Sequence, residues 1–562
     1  MTNRFHLLVP LVLFVLFLTG CGQTPPPTAV PPAATVSSAG ATVASTVVPA
    51  ATATAAPKAE LPPTSPPTAT PAPWRVAAAP GLPEELIAAA QEIVTAHSSQ
   101  FAWAEEPEGA DVLLRLAPLG EGGTLATWVY AVAVPFATVA DGVTLAELQA
   151  SWRGEGGPPL LLTPDTEALL RQLWGEGRAE TVPAPDLESA LWARRAAWTL
   201  VPFQKLTPAL KVWAVDGLSP VAADFVPSGY PLALALVVDG EGEAAAAFSA
   251  LCCFPATNRD PEKITRIAMT GVTALVRATA YQMETRGIIY PGEEVAPVMQ
   301  AADIAHVSNE VAFVPECPPP HYIGGTTFCS SPRYMELLQF LGVDVVELTG
   351  NHVNDWGAGY IPYTLQLYDN AGMRYFGGGR NLAEAQEPAI FEHNGNTIVF
   401  LGCNPAGPAG AWAGEEWGGA RRCDDSFVEQ IRSYRDSGAF VMVTQQYWES
   451  YHYGPTADQR EAFIALAAAG ASAVSGSQAH HVQGFGFEHG AFIHYGLGNL
   501  FFDQMDQAGT RQSFVDLYTV YENRLLNVSL WTGLIENYAR PRLMTPEERA
   551  DLLQTVFAAS GW

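Results

Sequence analysis

A strand that runs directly into a polar loop decides the fold of the second half of this chain, where residues 343–357 read VDVVELTGNHVNDWG. The apolar run Val343–Thr349 predicts a buried strand, and the loop after it carries Asn351, His352 and Asp355. Four other predicted strands in this half also end in carboxamide, imidazole or carboxylate side chains. Because functional groups of an open α/β sheet collect beyond the carboxyl ends of its strands, these ends predict one shared site.

Strand and helix patterns alternate on both sides of this loop, which is typical of an α/β fold. The strand patterns cover Thr265–Gly271, Ile304–Phe313, Val343–Thr349, Thr397–Cys403, Phe440–Gln446, Ala471–Ser475 and Ala491–Tyr495. The helix patterns between them cover Tyr334–Leu341, Tyr363–Ala371, Phe427–Ser437 and Gln459–Ala469. The other four strand ends supply Glu310, Gln446, Glu449, Gln478, His480 and Asn499.

The order of the segments between 261 and 542, and the residue patterns within them, resemble the CapA family of poly-gamma-glutamate capsule-synthesis proteins. The matching blocks are Gly350-Asn351-His352 with Asp355 and Gly357, Tyr375–Gly379 with Asn381, Ala385 and Pro388, Gln446–Glu449, Gly476–His480, and Tyr495–Asp503. The resemblance implies the α/β sandwich of the calcineurin-like metallophosphoesterases. It also implies a role in the synthesis or handling of an extracellular polymer such as capsular polyglutamate, with hydrolase chemistry as one form of that role.

Three residues depart from the metal-binding pattern of that family. Val272 stands where the family has its first Asp, and Gln446 and Gln478 stand where it has His. A carboxamide oxygen is a weaker ligand for a transition metal than imidazole or carboxylate, although it suits a hard ion such as Ca²⁺ or Mg²⁺. The two glutamines are equally well explained as buried amides that hold strands together.

Two uses of the retained residues stay open. In one, a divalent metal ion is the cofactor, with ligands drawn from Glu310, His352, Asp355, Glu449 and His480. In the other, His352 or His480 is a general base without metal, Asp355 orients it, and Asn351 donates to an oxyanion. The predicted catalytic set is His352, Asp355 and His480, and the predicted substrate-binding set is Asn351, Gln446, Gln478 and Asn499.

The first half, residues 74–240, predicts a separate and smaller α/β domain. Its strand patterns are Asp111–Leu116, Thr127–Val134, Leu160–Thr163 and Ala197–Val201, and its helix patterns are Glu84–His97, Leu145–Trp152 and Thr166–Trp174. The stretch from Trp128 to Leu148, followed by Trp152, resembles the middle of periplasmic solute-binding proteins. Thr144 and Glu147 have the spacing of a capping box at the start of one helix. No Ser/Thr-rich anion-binding loop is visible, so a spacer or interaction module is as good an interpretation as a ligand receptor.

The amino terminus predicts export and membrane attachment. Residues 1–20 have one basic residue, an apolar run and small residues before Cys21, which is the pattern of a secretory signal. The ending Leu18-Thr19-Gly20-Cys21 resembles the bacterial lipobox, which implies lipidation of Cys21. Residues 21–73, rich in Pro, Ala and Thr, predict a disordered tether. The protein is therefore expected on the extracytoplasmic face of the cell-envelope membrane, anchored by lipid.

Composition and cysteine content limit the partners. The 562 residues carry 29 Lys+Arg against 57 Asp+Glu, a formal charge of −28, which argues against nucleic acid. Such acidity also means that a polyanionic polymer would need a local basic patch or a bridging cation to bind to this protein.

Exported chains form disulfides, and the pairs Cys317–Cys329 and Cys403–Cys423 are favoured because each encloses irregular sequence. Residues 543–562 predict a helical tail over Pro546–Ala558.

Three functions therefore compete. The first is a CapA-like surface lipoprotein that handles an extracellular polymer, through hydrolase chemistry at a degenerate metal site. The second is a non-catalytic protein on the same scaffold that binds an anionic polymer or a cell-wall component. In the third, the first domain senses a solute and the second is its partner module. The lost Asp and His ligands favour the second function, whereas His352, Asp355 and His480 favour the first.

Overall fold

The computed structural model describes residues 72–240, 242–251 and 253–562. The predicted signal sequence, the lipidation site Cys21 and almost all of the tether lie outside these residues. Within them, no helix combines the length and the apolar character needed to cross a membrane. The described residues belong to a single compact unit, Pro71–Trp562.

The first α/β part is built on one eight-stranded sheet. Its strands are β1 (Trp74–Ala78), β2 (Phe101–Trp103), β3 (Val112–Pro118), β4 (Ala126–Pro135), β5 (Gly142–Val143), β8 (Thr199–Pro202), β9 (Leu210–Val215) and β10 (Ala233–Asp239), and the short pair β6 (Leu161–Leu162) and β7 (Glu180–Thr181) lies apart. The helices are α1 (Glu84–Ala96), α2 (Leu145–Arg153), α3 (Pro164–Trp174), α4 (Leu187–Arg194) and α5 (Glu243–Ser249). The sheet order is β2-β1-β3-β10-β4-β9-β5, and β8 also pairs with β4.

The second part contains one sheet of nine strands, one of six strands and the two-stranded pair β16-β19. Its strands are β11 (Ile264–Thr270), β12 (Val272–Thr273), β13 (Ile304–Asn309), β14 (Val345–Glu347), β15 (Arg374–Phe376), β16 (Gly378–Gly379), β17 (Ala389–His393), β18 (Asn396–Cys403), β19 (Gly419–Ala420), β20 (Phe440–Gln446), β21 (Ala473–Ser477), β22 (Phe485–Glu488), β23 (Ala491–His494), β24 (Asn499–Phe501), β25 (Gln512–Tyr521), β26 (Arg524–Glu536) and β27 (Arg540–Leu543). Its helices are α6 (Arg277–Arg286), α7 (Ala296–Gln300), α8 (Met335–Leu341), α9 (Ile361–Ala371), α10 (Leu382–Ala385), α11 (Asp425–Asp436), α12 (Ala457–Ala469), α13 (Ala508–Arg511) and α14 (Pro546–Ala559).

The two sheets pack face to face between layers of helices, so the predicted α/β sandwich is confirmed. One sheet has the order β15-β14-β13-β11-β25-β26-β27, with β12 pairing with β13 and β24 pairing with β12, and the other has the order β17-β18-β20-β21-β23-β22. Buried side chains from both sheets share one apolar cluster, including Ile267, Val345, Phe400, Met442 and Phe492. Because each sheet is covered on both faces, its parallel strands read as continuous apolar runs, which explains why the sequence pattern was clear.

Most elements form where the sequence predicts them. The strand predicted over Phe440–Gln446 has those bounds in the structure, and the capping box of Thr144 and Glu147 is present at the start of α2. The hairpin of β25 and β26 was not predicted. Its two-residue turn, Glu522 and Asn523, has φ of 52° and 58°, a conformation for which Asn-Gly is the usual sequence signal.

The two α/β parts and the carboxyl-terminal helix pack against one another. Asn527 in β26 accepts a hydrogen bond from the backbone of Val212 in β9 at 3.2 Å. The ring centroid of Phe136 from the first part lies 6.0 Å from that of Phe557 in α14, and Arg549 in α14 pairs with Asp141. The predicted tail is therefore a docked helix of the same compact unit. The structure joins Cys317 to Cys329 and Cys403 to Cys423, the two pairs favoured from the sequence.

Candidate functional site

The site lies where strands of both sheets end. The loops after β13 and β14 belong to one sheet, and those after β20 and β21 belong to the other. Gly350 allows the first two loops to touch, because a Cβ atom at this position would overlap the Cα and Cβ atoms of Glu310 and lie 3.0 Å from its carbonyl oxygen. The glycine of the motif is therefore required for space between two strand ends.

His352 and Asp355 form a dyad within the loop after β14. Nδ1 of His352 lies 2.7 Å from Oδ2 of Asp355, and the same oxygen accepts a hydrogen bond from the backbone N–H of Phe328 at 2.7 Å. The ring of Phe328 packs on the imidazole with centroids 4.4 Å apart. Asp355 therefore fixes the orientation of His352, as the sequence predicts for an orienting residue.

Glu310 lies beneath this dyad as a buried carboxylate. It is 1% exposed, and neither of its carboxylate oxygens has a hydrogen-bond partner among the residues that the structure describes. Burial alone would lower the pKa of His352, but the hydrogen bond that its Nδ1–H donates to Asp355 and the negative charges of Glu310, Asp355 and Glu449 outweigh burial and raise the pKa. The carboxylates around His352 therefore favour its protonated form more than water does, and its role as general base stays a prediction.

Gln446 and Gln478 hold the loops together. Nε2 of Gln446 donates to Oε1 of Gln478 and, at 3.3 Å, to Oδ1 of Asn351. Oε1 of Gln446 accepts from the hydroxyl of Ser477 at 3.0 Å. The two carboxamides thus bond to each other and to the loop after β14, which agrees with the interpretation of them as buried amides that hold strands together.

A second buried carboxylate, Glu347, supports this network and was missed by sequence reasoning. Its Oε1 accepts from Thr349 and, at 2.8 Å, from Ser477, and its Oε2 lies 3.4 Å from Nε2 of the buried His306. Burial would raise the pKa of Glu347, but His306 and the two hydroxyls outweigh it and hold the pKa below the usual value. The sequence signal was the acidic residue inside an otherwise apolar strand, β14.

His480 lies on the other side of the site. Its Nδ1 is 2.8 Å from Oδ1 of Asn499, and because Nδ2 of Asn499 donates to two backbone carbonyls, the Nδ1 of His480 carries the proton. Its Nε2 is 3.9 Å from Oε1 of Glu449. Glu449 therefore lies near both His480 and His352, since its charge also acts on His352. His481 instead contacts the backbone oxygen of Val482 at 2.7 Å.

An ion pair between the two histidines was also missed. Arg277 pairs with Asp503, and its guanidinium lies 5.0 Å from the ring centroid of Phe328 and 4.7 Å from that of Phe502. Phe328 packs on His352, and Phe502 stacks on His480 with centroids 5.0 Å apart. The two phenylalanines lie 6.2 Å apart, so a continuous row of rings joins the two imidazoles. Of these residues, Phe502 and Asp503 lie in the matching block Tyr495–Asp503, whereas Arg277 and Phe328 carried no sequence signal.

Backbone strain is concentrated at the same place. Arg277, Gln478 and His480 have positive φ angles of 46°, 78° and 52°, which non-glycine residues seldom adopt. Each such residue costs on the order of 1–3 kcal/mol and persists only where the surroundings enforce it. Three of them around one pair of loops is the pattern of a functional site.

The donor set does not fit a dinuclear metal centre. Within the described residues, no three His, Cys, Asp or Glu side chains are placed together to hold an ion. Val272 offers no ligand atom, Gln446 and Gln478 bond to each other, and Asp355 is engaged by His352 and Phe328. The ligand set of Glu310, His352, Asp355, Glu449 and His480 stays a prediction, and no reaction step is assigned to a metal.

Comparison with known proteins gives the family context of this site. Residues 266–504 match the model of the family described as bacterial capsule synthesis protein PGA_cap. This part of the chain is similar to the CapA capsule proteins. The match contains the loops after β13, β14, β20 and β21 together with strand β24, and hence every residue of the predicted catalytic, substrate-binding and metal sets.

Two relatives show the extent of the similarity to CapA. The capsule biosynthesis protein CapA of Bacillus anthracis is 26% identical over 257 residues, which cover 44% of this chain and 62% of the relative. The PGA biosynthesis protein CapA of Bacillus subtilis (strain 168) is 27% identical over 191 residues, which cover 34% of this chain and 50% of the relative. The chain thus spans less than two thirds of either relative.

Solved structures resemble the two α/β parts only distantly. A 5'-nucleotidase precursor from Thermus thermophilus is 12% identical, with a TM-score of 0.32, and the match covers 53% of this chain and 59% of that one. An ABC-type phosphate transport receptor from Vibrio cholerae is 14% identical, with a TM-score of 0.27, and the match covers 32% of this chain and 92% of that one. At these scores neither likeness bears on activity or ligand.

Proposed function

We propose that this protein takes part in the synthesis or handling of an extracellular capsular polymer of the poly-γ-glutamate type. The similarity of residues 266–504 to the PGA_cap family supports this role. The CapA relatives are described as capsule and PGA biosynthesis proteins, which supports the same class of polymer.

We further propose that the site acts by binding rather than through a dinuclear metal reaction. The observation that carries this proposal is the hydrogen bond between Gln446 and Gln478, which occupies the two positions where the family has metal-binding imidazoles. The two carboxamides hydrogen-bond to each other and to Asn351, so they form part of a binding surface. Because their polar atoms are used in these hydrogen bonds, they are not available as metal ligands.

A gene disruption with complementation tests this role. Loss of the gene is expected to lower the amount of surface polymer, and the wild-type gene is expected to restore it. Complementation with Gln446→His and Gln478→His together tests the binding mode, because it disrupts the carboxamide pair and is expected to restore less polymer. Unchanged polymer in the disruptant would contradict the proposed role, and full restoration by the double variant would contradict the binding mode.

A second candidate function is acid–base hydrolysis without metal, and the 2.7 Å dyad of His352 and Asp355 favours it. In this alternative, a water molecule attacks the polymer linkage and gives its proton to Nε2 of His480, whose Nδ1–H is held by Asn499, while His352 donates a proton to the leaving group as the linkage breaks. Polymer shortening by the purified protein, measured by gel filtration and abolished in His352→Gln, would establish this function. Polymer that keeps its length while remaining bound would support binding alone.

The location of the protein is part of the proposal. We infer that Cys21 is lipidated and holds the chain at the extracytoplasmic face of the membrane, and the lipobox-like ending of residues 18–21 supports this. The first α/β part is proposed to present the polymer site away from the membrane, as a solute-binding-like module. Metabolic labelling with a palmitate analogue should mark the wild type and not Cys21→Ser, and label in the variant would contradict the assignment.

A further inference from the structure

A groove with a volume of about 600 Å³ lies where the first α/β part packs against the second. The first part lines it with Glu188 and residues 206–209, and the second part lines it with residues of α11, β22, β23 and β26 and of the segment before β21. The groove therefore lies beside the amino end of β21, whereas Gln478 and His480 of the candidate site follow the carboxyl end of this strand. The groove and the candidate site are separate places on the same sheet.

The lining of this groove is basic, although the chain as a whole has a formal charge of −28. Arg435 and Arg524 contribute two positive charges, and the exposed imidazole of His489 lies in the same lining. Among the described residues that line the groove, Glu188 is the single carboxylate, and it accepts a hydrogen bond from the hydroxyl of Thr207 at 2.6 Å. The groove thus supplies the local basic patch that a polyanion needs on so acidic a protein.

Arg524 keeps most of its guanidinium group free. It is an exposed residue at the start of β26, and its Nη2 donates to the carbonyl oxygen of Gln204 at 2.7 Å. It forms no ion pair with a carboxylate in the part of the chain that the structure describes. A guanidinium has five N–H donors, so this one hydrogen bond fixes its position and leaves donors for a ligand. Two of them can bind one carboxylate through parallel hydrogen bonds.

Arg435 is held at the groove by its neighbours on α11 and α12. Its Nη1 donates to the carbonyl oxygen of Ala469 at 3.2 Å, and its side chain packs on Gly470, where an added Cβ atom would overlap Cδ of Arg435. Its Nε and Nη2 bond to the carboxylate of Asp436 at 2.8 and 2.7 Å. Both members of this ion pair are largely exposed, and exposed ion pairs are weak, so a ligand carboxylate can compete with Asp436 for the guanidinium.

Apolar side chains make up much of the remaining lining. They include Leu206, Phe487 and Leu525, and the ring of Phe487 is held by Trp192, with centroids 5.9 Å apart. A ligand that fits this lining has carboxylates for the two guanidinium groups and methylene groups for the apolar side chains. A flexible polyamide with one carboxylate and two methylene groups in each residue has both properties.

We propose that this groove binds a segment of an anionic polyamide of the poly-γ-glutamate type. Carboxylates of the polymer pair with Arg435 and Arg524, and its methylene groups lie against Leu206 and Phe487. This inference rests on the proposed function, and it adds to that function a second polymer contact at the opposite end of β21 from Gln478. The groove holds the polymer while the candidate site contacts another part of it.

Isothermal titration calorimetry on the full-length protein tests the groove, with poly-γ-glutamate as the probe and dextran as a neutral comparison. Poly-γ-glutamate is expected to bind and dextran is not. The double variant Arg435→Gln with Arg524→Gln should weaken binding about tenfold, the factor that corresponds to about 1.4 kcal/mol. Raising NaCl from about 0.1 M to about 1 M shortens the Debye length from about 10 Å to about 3 Å, so it should weaken binding by the wild type more than by the double variant.

Two further variants separate the groove from the total charge and from folding. Arg153→Gln with Arg432→Gln removes the same charge from arginines that are 46% and 50% exposed and lie outside the groove, and should leave the affinity unchanged. Because Arg435 packs on Gly470, His489→Asp tests the groove with that packing intact. His489 is exposed and has a φ of 52°, which Asp tolerates, and the added negative charge should lower the affinity for poly-γ-glutamate.

The possible results distinguish the groove from the proposed function. Unchanged affinity in the double arginine variant, an equal loss in its charge-matched control, or dextran binding as tight as that of poly-γ-glutamate would overturn the inference. In each of these cases poly-γ-glutamate still binds, so the proposed function stands. If poly-γ-glutamate does not bind to the wild type, the groove is overturned as well, and the amount of surface polymer after gene disruption decides the proposed function separately.

Discussion

Two buried glutamates at the site should respond in opposite directions to the same substitution. Glu310 is 1% exposed and its carboxylate has no hydrogen-bond partner in the described part of the chain, whereas Glu347 is equally buried but bonds to Thr349 and Ser477 and faces His306. Replacing each by Gln changes charge and hydrogen bonding while keeping the shape of the side chain. The two substitutions should change the free energy of unfolding in opposite directions, because only Glu347 has hydrogen-bond partners to lose.

The magnitudes follow from the free energy of burying a charge. An unpaired buried polar group costs about 1–3 kcal/mol, and more when it is charged, so Glu310→Gln should stabilise the fold by about 1–2 kcal/mol. A part of the gain is lost because Glu310 also stabilises the protonated form of His352. Removing one partner of a buried charge network costs about 3–5 kcal/mol, so Glu347→Gln should destabilise by that amount.

Thermal unfolding of the full-length protein, followed by circular dichroism at pH 7, measures both changes. The compact unit Pro71–Trp562 has an unfolding entropy of about 1 kcal/mol/K, at about 2.1 cal/mol/K per residue, so a change of 1 kcal/mol shifts Tm by about 1 °C and the two variants should differ by about 4–7 °C. Glu449→Gln is the control for a carboxylate of the same site that is about half exposed, and its Tm should stay near that of the wild type. A fall in Tm for Glu310→Gln would refute the assignment of an unpaired buried charge.

Three further predictions concern the same loops. Gly350→Ala should destabilise the protein by about 1–3 kcal/mol because its Cβ would overlap Glu310, while Gly359→Ala, where nothing lies within 4 Å, should not; equal midpoints in urea would contradict this. The pKa of His352 is raised above its ordinary value near 6.5. Its contribution to the free energy of unfolding is therefore complete below pH 6.5 and is lost as the pH rises through the folded pKa. The variant His352→Gln should flatten this part of the pH–stability curve, and an unchanged slope would count against the dyad. Because the donors do not form a metal cluster within the described residues, EDTA should shift Tm by less than about 1 °C. An ion bound at 100 times its Kd would contribute about 2.7 kcal/mol to stability, so its removal by EDTA would lower Tm by more than that.

Much of the local structure could be predicted from the sequence. Parallel strands such as β18 and β20 are apolar throughout because both faces of their sheet are covered, and their bounds follow from that run. The antiparallel strands β25 and β26 were missed, because their turn lacks the Asn-Gly signal. Strands β1, β9 and β10 of the first part were missed as well, although β10 is an apolar and largely buried run of the same kind.

The candidate site could be predicted only in its parts. The sequence showed that polar residues follow several strands, and Gly350, His352 and Asp355 were named from their motif. It did not show that the loops come from two different sheets, nor that Gln446 and Gln478 bond to each other. It also gave no hint that Arg277 and the rings of Phe328 and Phe502 connect His352 to His480.

The sequence by itself determined most of the helices and buried parallel strands, where the chain is polar, and which residue types are present for chemistry. These properties depend on neighbours one to four positions away, since side chains alternate along strands and repeat along helices. The tertiary structure alone decided which carboxylates are paired, which imidazole is raised in pKa, and which arginines line the groove. Those properties depend on contacts between residues that are distant in sequence, such as Arg277 and Asp503, which are 226 positions apart, and the geometry of two packed sheets creates them.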